Sequence, residues 1–100
     1  MEVKTNLEGS KLTVAPEGKI GTTTAAEFEN VVKSNIDGVT ELIFDFKNVE
    51  YLTSAGIRVL MSAGRVMKKQ GAMKIINVNP EVMDVFTFTG MADVMDIEAV

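Results

Sequence analysis

Two short apolar runs stand out in this chain, Leu42 Ile43 Phe44 Asp45 Phe46, apolar at nearly every position, and Met73 Lys74 Ile75 Ile76 Asn77 Val78, and a segment of helical length lies between them. Runs this short and this apolar read as strands. Two strands joined through a helix-length crossover pair in parallel, because a parallel connection needs a dozen or more residues to return to the same end of the sheet. The chain is therefore expected to be α/β. Leu42–Phe46 lacks the alternation of a strand with one wet face, so it is expected at the centre of the sheet with both faces covered.

The intervening segment, Ala55 to about Gln70, carries Ile57, Leu60, Met61, Gly64 and Met67 on one helical face and Arg58, Ser62, Arg65 and Lys69 on another. Gly71 closes it, and Lys68 and Lys69 suit its negative end. Upstream, Val3, Thr5 and Leu7 alternate with polar residues. After Glu8 Gly9 Ser10 the alternation resumes at Leu12 and Val14, which predicts a hairpin of two half-buried strands turning at Gly9 Ser10. A first helix follows, with Thr24 and Glu27 spaced as a capping box, Phe28, Val31, Val32 and Ile36 facing inward, and Asp37 Gly38 as its stop. Lys47–Glu50 reads as a loop. Asn79 Pro80 Glu81 gives an N-cap, an N1 proline and a first-turn acid for a third helix with Val82, Val85 and Phe86 buried, and Val94–Ile97 is a final edge strand. The expected order is β β α β α β α β, one domain over residues 1–100, with no internal repeat or linker.

The missing residue types narrow the chemistry. The chain has no cysteine and no histidine. That removes disulfides, thiolate nucleophiles, imidazole bases, a Ser/His/Asp relay and ordinary zinc sites, so catalysis would rest on carboxylates or lysines. No pair of them is placed as acid and base with a nucleophile, and the chain is expected not to be an enzyme and to need no cofactor. Asp84, Asp93, Asp96 and Glu98 lack calcium-loop spacing, and Gly18 Lys19 lacks the remainder of a phosphate loop. A net charge of −4 argues against nucleic acid, which demands clustered cations, and points to a protein partner. The first residues form no signal peptide and no run approaches the ~18 apolar residues of a membrane span, so a cytoplasmic location is expected. Most of the methionines read as core filler, with those around the third helix also suited to an adaptable binding surface.

Ser54 is the residue of most interest. It stands before an amphipathic helix, where Ser and Thr are common as caps. It is also where an added phosphate would be tolerated by a helix start while altering the surface sharply, and Ala55 and Gly56 leave the first turn sterically open. Cap and switch both fit the spacing.

The segment Phe44 Asp45 Phe46 Lys47 Asn48 Val49 Glu50 Tyr51 Leu52 Thr53 Ser54 Ala55 Gly56 Ile57 Arg58 Val59 Leu60 resembles the central signature of STAS domains, and specifically of bacterial anti-sigma factor antagonists. The order of elements matches along the chain, including Lys74–Val82. The resemblance implies a mixed β-sheet with an N-terminal hairpin and about three helices packed against it. It implies a protein that binds an anti-sigma factor of the serine-kinase type and so frees a sigma factor. Ser54 is similar to the serine which that kinase phosphorylates, with Thr53, Ala55, Gly56, Arg58 and Ser62 around it as partner-binding residues. Asp45 would order the loop after the central strand. Two positions differ from the family pattern: Thr53 stands where Asp is common, and Gly21 where an acidic residue is common after the Gly-x-Ile of the first strand-to-helix loop. A second reading is a STAS subunit of an ABC-type lipid transport system, without the phosphorylation switch.

Overall fold

The computed structural model describes all 100 residues. The chain opens with β1 (Val3–Glu8) and β2 (Lys11–Pro16), antiparallel and in register from Val3 opposite Pro16 to Glu8 opposite Lys11. Gly9 takes φ +63° at the turn while Ser10 does not, the combination of a type II′ hairpin, whose twist matches that of the flanking strands. β2 is half-buried as expected, with Leu12 and Val14 fully inside. β1 is not. It is the sheet edge, and even Leu7 is mostly exposed.

After β3 (Gly18–Ile20) come α1 (Thr22–Asn35) and β4 (Glu41–Asp45), then β5 (Val49–Leu52) and α2 (Ser54–Gln70), and then β6 (Ala72–Val78). α3 (Pro80–Thr89), a short α4 (Met91–Val94) and β7 (Asp96–Ala99) complete the chain. The main sheet has the order β1-β2-β4-β6-β7, parallel at every junction except the hairpin. β4 and β6 pair in parallel across α2, as the two apolar runs require.

The structure departs from expectation in four places. β4 is central but is covered on one face only. Leu42 and Phe44 enter the single core with Leu12, Val14 and Ile75, and the Phe44 ring meets Phe28 of α1 edge-on at 5.6 Å. Ile43 points the other way and lies outside that core, flanked in register by Thr13 and Lys74. Its near-complete shielding comes from strand neighbours on a face that also holds the Lys74–Glu98 ion pair. Second, Lys47–Glu50 is not all loop: Val49 begins β5, which pairs in parallel with β3 as a separate two-stranded sheet. Such short strands carry no readable alternation.

Third, α1 starts at Thr22 with Gly21 as its N-cap. Thr24 is the third helical residue, its Oγ1 accepting from Gly21 N at 2.7 Å and donating to Lys19 O at 2.9 Å, while Glu27 makes no bond to the helix start. Fourth, four helices are present rather than three. Gly90, at φ +80°, ends α3 and starts α4, which displaces the last strand to Asp96–Ala99. The other turns follow the sequence. Asn79 caps α3, its Oδ1 accepting from Val82 N at 2.8 Å. No helix is long and apolar enough to cross a membrane.

Candidate functional site

β3 and β5 run side by side in the same direction, and each leads directly into a helix. The small sheet therefore places the N-termini of α1 and α2 next to each other. Thr53 N donates to Ile20 O at 3.0 Å and Thr53 Oγ1 reaches the same carbonyl at 3.3 Å, which ties the two strand-to-helix turns together.

Thr53, not Ser54, is the N-cap of α2. Its hydroxyl is spent on Ile20 and caps nothing. Ser54 is the first helical residue, exposed, and its Oγ has no hydrogen-bond partner in the protein. Capping is thus excluded as the reason for a serine here. The first turns of both helices lack an acidic residue, and neither N-cap supplies a side-chain acceptor to the helix N–H groups. Unpaired N–H groups and the dipole of a 17-residue helix leave positive potential at Ser54. Thr53 and Gly21, where acids are common in the resembling family, are the N-caps of these two adjoining helices. With neither acidic, a phosphate on Ser54 would meet no carboxylate from either cap.

The remaining residues fall into two groups. Arg58, one turn on from Ser54, is exposed and forms no ion pair, within the i,i+4 reach of any group on Ser54. Ser62, two turns on, is half-buried. Gly56 and Ala55 do not form the open turn expected. Gly56 is buried, and a Cβ placed on it would lie 2.9 Å from Ile20 Cγ2 and 3.2 Å from Leu52 Cδ1. Its missing side chain lets α2 press against the ends of β3 and β5, and Ala55 packs at the core margin. Met61, assigned to the buried face, is exposed, and Val59 and Ala63 take its place inside.

The small sheet also carries a surface that the sequence did not announce. Lys19 and Tyr51 are register partners across the small sheet, both exposed, and with Glu50 and Glu81 they line a shallow groove. The Gly-x-Ile signal at Gly18–Ile20 marked the loop, but nothing in it announced a strand. Behind the site, Asp45 orders its loop as expected: Oδ1 accepts from Lys47 N and from Asn77 Nδ2, each at 3.0 Å. Asn77 is the one non-glycine residue with positive φ, +58°. No group of three or more acidic side chains is placed to hold a metal ion. What this arrangement offers chemically is an accessible hydroxyl at an anion-favouring helix start with a free guanidinium one turn away.

The model of the family described as STAS domain matches residues 1–100. The anti-sigma-B factor antagonist of Bacillus subtilis is 27% identical over 100 residues, covering 99% of this chain and 90% of that protein. Among solved structures, an anti-sigma factor antagonist from Mycobacterium paratuberculosis superposes with a TM-score of 0.90 at 19% identity, over 99% of this chain and 86% of that one. The Bacillus cell fate determinant SpoIIAA in its phosphorylated form gives 0.75 at 16% identity, over 99% and 92%.

Proposed function

The chain belongs to the STAS domain family, and from that premise we propose that it is an anti-sigma factor antagonist whose binding is switched by phosphorylation of Ser54. In this reading the unmodified protein binds a cytoplasmic anti-sigma factor through Thr53, Ser54, Ala55, Arg58 and Ser62, and transcription by the released sigma factor follows. Gly56 contributes by shape, setting how deeply the α2 start lies against Ile20. The observation that carries the proposal is an exposed Ser54 hydroxyl with no structural duty, at a helix start stripped of competing acids.

The anti-sigma factor would be a serine kinase and would supply the ATP site. Phosphate adds a charge of about −1.5 to −2, which must be desolvated or repelled in a closed interface. A penalty of only ~3 kcal/mol weakens binding by about a hundredfold, enough to exchange partners. Sequence likeness to the B. subtilis antagonist and fold likeness to phosphorylated SpoIIAA support the reading.

The test mixes the purified protein with a serine-kinase anti-sigma factor of its own organism and ATP. Phosphopeptide mapping should find phosphate on Ser54, Ser54→Ala should bind and stay bound, and Ser54→Asp should bind poorly. Phosphate elsewhere, or equal binding by all three forms, would sink the proposal. Binding by the unsubstituted protein with no phosphoryl transfer to it would leave the antagonist and remove the switch.

A further inference from the structure

α2 has four basic residues, Arg58, Arg65, Lys68 and Lys69, and no acidic one, in a chain whose net charge is −4, so the remainder of the protein carries −8. All four are exposed and none takes part in an ion pair. Ser54, Arg58, Met61, Arg65 and Lys68 with Lys69 succeed one another at three- and four-residue intervals, so they form one stripe along the outer face. At a rise of 1.5 Å per residue it runs for about 22 Å. Lys68 and Lys69 complement the negative end of the helix dipole, but Arg58 and Arg65 lie outside the last turn, where that effect has faded.

Beside the lower half of the stripe lies a groove of about 380 Å³ between α2 and the α4–β7 segment. Its lining includes Met61, Gly64, Met73, Val94 and Met95, with Arg65 and Lys68 on one lip and Asp96 on the other. Met61 and Val94 are 40% and 74% exposed, apolar surface that a monomer gains nothing by showing. Methionine linings adapt to varied apolar side chains.

We propose that this stripe and groove form a docking surface for an acidic amphipathic helix of a protein partner. Its apolar side chains enter the groove beside Met61 and Val94, and its carboxylates lie against Arg58, Arg65 and Lys69. Helices seat in apolar grooves through anchors spaced by turns, and the cations here have that spacing. An extended polyanion such as duplex DNA or an anionic bilayer would also face the −8 carried by the rest of the chain, whereas a narrow acidic strip meets the stripe alone, within a screening length of about 8 Å. The surface continues the Ser54 site along the same helix and reaches a second element, α4. It rests on the preceding reading only for the identity of the partner.

The test uses ¹³C-methyl methionine NMR and a synthetic Glu/Leu amphipathic peptide of about five helical turns. The same peptide with Gln for Glu, phosphatidylglycerol vesicles and a short DNA duplex are run alongside. Met61 and Met95 methyl signals should move on adding the Glu peptide while Met83 stays, and raising salt should weaken binding. Arg65→Glu with Lys69→Glu should lower affinity about tenfold or more, as charge reversal at a complementary interface does. Val94→Gln, at an exposed position that leaves folding untouched, should weaken it through the groove alone. Equal binding of the Gln peptide, unmoved Met61 and Met95 signals, indifference to both substitutions, or tighter binding of vesicles or DNA would each overturn the proposal. Phosphoryl transfer to Ser54 plays no part in this measurement, so failure there and failure here are separable.

Discussion

Gly56 faces Ile20 so closely that a methyl group on the glycine would sit 2.9 Å from Ile20 Cγ2, with Leu52 at 3.2 and 3.3 Å behind it. Helix propensity favours alanine over glycine by up to ~1 kcal/mol in a helix interior. Overpacking costs about 1–3 kcal/mol and acts on residues that are fully buried. Gly56→Ala should therefore lower stability by a net ~1–2 kcal/mol, and the melting temperature by roughly 4–8 °C for each of those kcal/mol. Thermal unfolding followed by circular dichroism checks this. An unchanged or raised melting temperature would mean that α2 can lift from Ile20 freely.

Ser54 lies two residues away and should behave in the opposite manner. Its hydroxyl is unbonded and exposed, so Ser54→Ala should change stability by less than ~0.5 kcal/mol. Ser54→Asp places a negative charge in the first turn of a helix that has none there, and should raise stability by about 0.3–1 kcal/mol at low salt. Urea unfolding of the three proteins at two ionic strengths measures both effects. A loss above 1 kcal/mol in Ser54→Ala would restore a capping role and undo the assignment of Thr53 as the cap.

Local chemistry along the chain is legible in the sequence, whereas pairing between short distant segments is not. The parallel β4–α2–β6 unit follows from two apolar runs and a crossover length, and the Asn79 cap follows from residue chemistry within four positions. Both are local consequences of covalent and hydrogen-bonding rules. β3 and β5 were not legible as a pair. Three- and four-residue strands give no periodicity, and their partnership joins segments about thirty residues apart. Ile43 misled for a related reason, since neighbouring strands alone can shield a side chain on a face that no helix covers. Ser54 was legible as important but not as uncapping, because one residue of helix phase separates the two roles and boundaries are the least determined part of a pattern.

Asp45 and Asn77 make a second pair with a measurable consequence. One Asp45 oxygen accepts from both Lys47 N and Asn77 Nδ2, and Asn77 holds φ +58°. Asp45→Ala leaves those donors without their acceptor and should cost about 1–2 kcal/mol. Asn77→Gly gives up the side-chain bond but relieves the left-handed backbone and should cost less than Asn77→Ala, which gives up the bond and keeps the strain. Unfolding free energies for the three variants check the ranking. If Asn77→Ala were the mildest, the backbone at this position would be free to leave the left-handed region.

Gly71 supplies the sharpest steric prediction. It ends α2, and a Cβ there would stand 2.0 Å from the carbonyl oxygen of Thr40, an atom that itself accepts from Ala72 N at 3.0 Å. The obstacle is backbone rather than the tip of a side chain, so no rotamer change relieves it. Either the α2 terminus or the loop before β4 must move. Movement of that loop would also strain the bonds from Gln70 Nε2 to Ile36 O and Val39 O, at 3.0 and 2.8 Å. Gly71→Ala should thus cost more than Gly56→Ala, about 3 kcal/mol or above, in the range reserved for core overpacking with backbone displacement. Amide hydrogen exchange separates the two cases as well as their size: Gly71→Ala should loosen the Ala72 amide and the start of β6, whereas Gly56→Ala should loosen the Thr53 amide at the other end of the helix. Exchange unchanged at Ala72 would show that the Thr40 carbonyl yields without disturbing the β4–β6 junction.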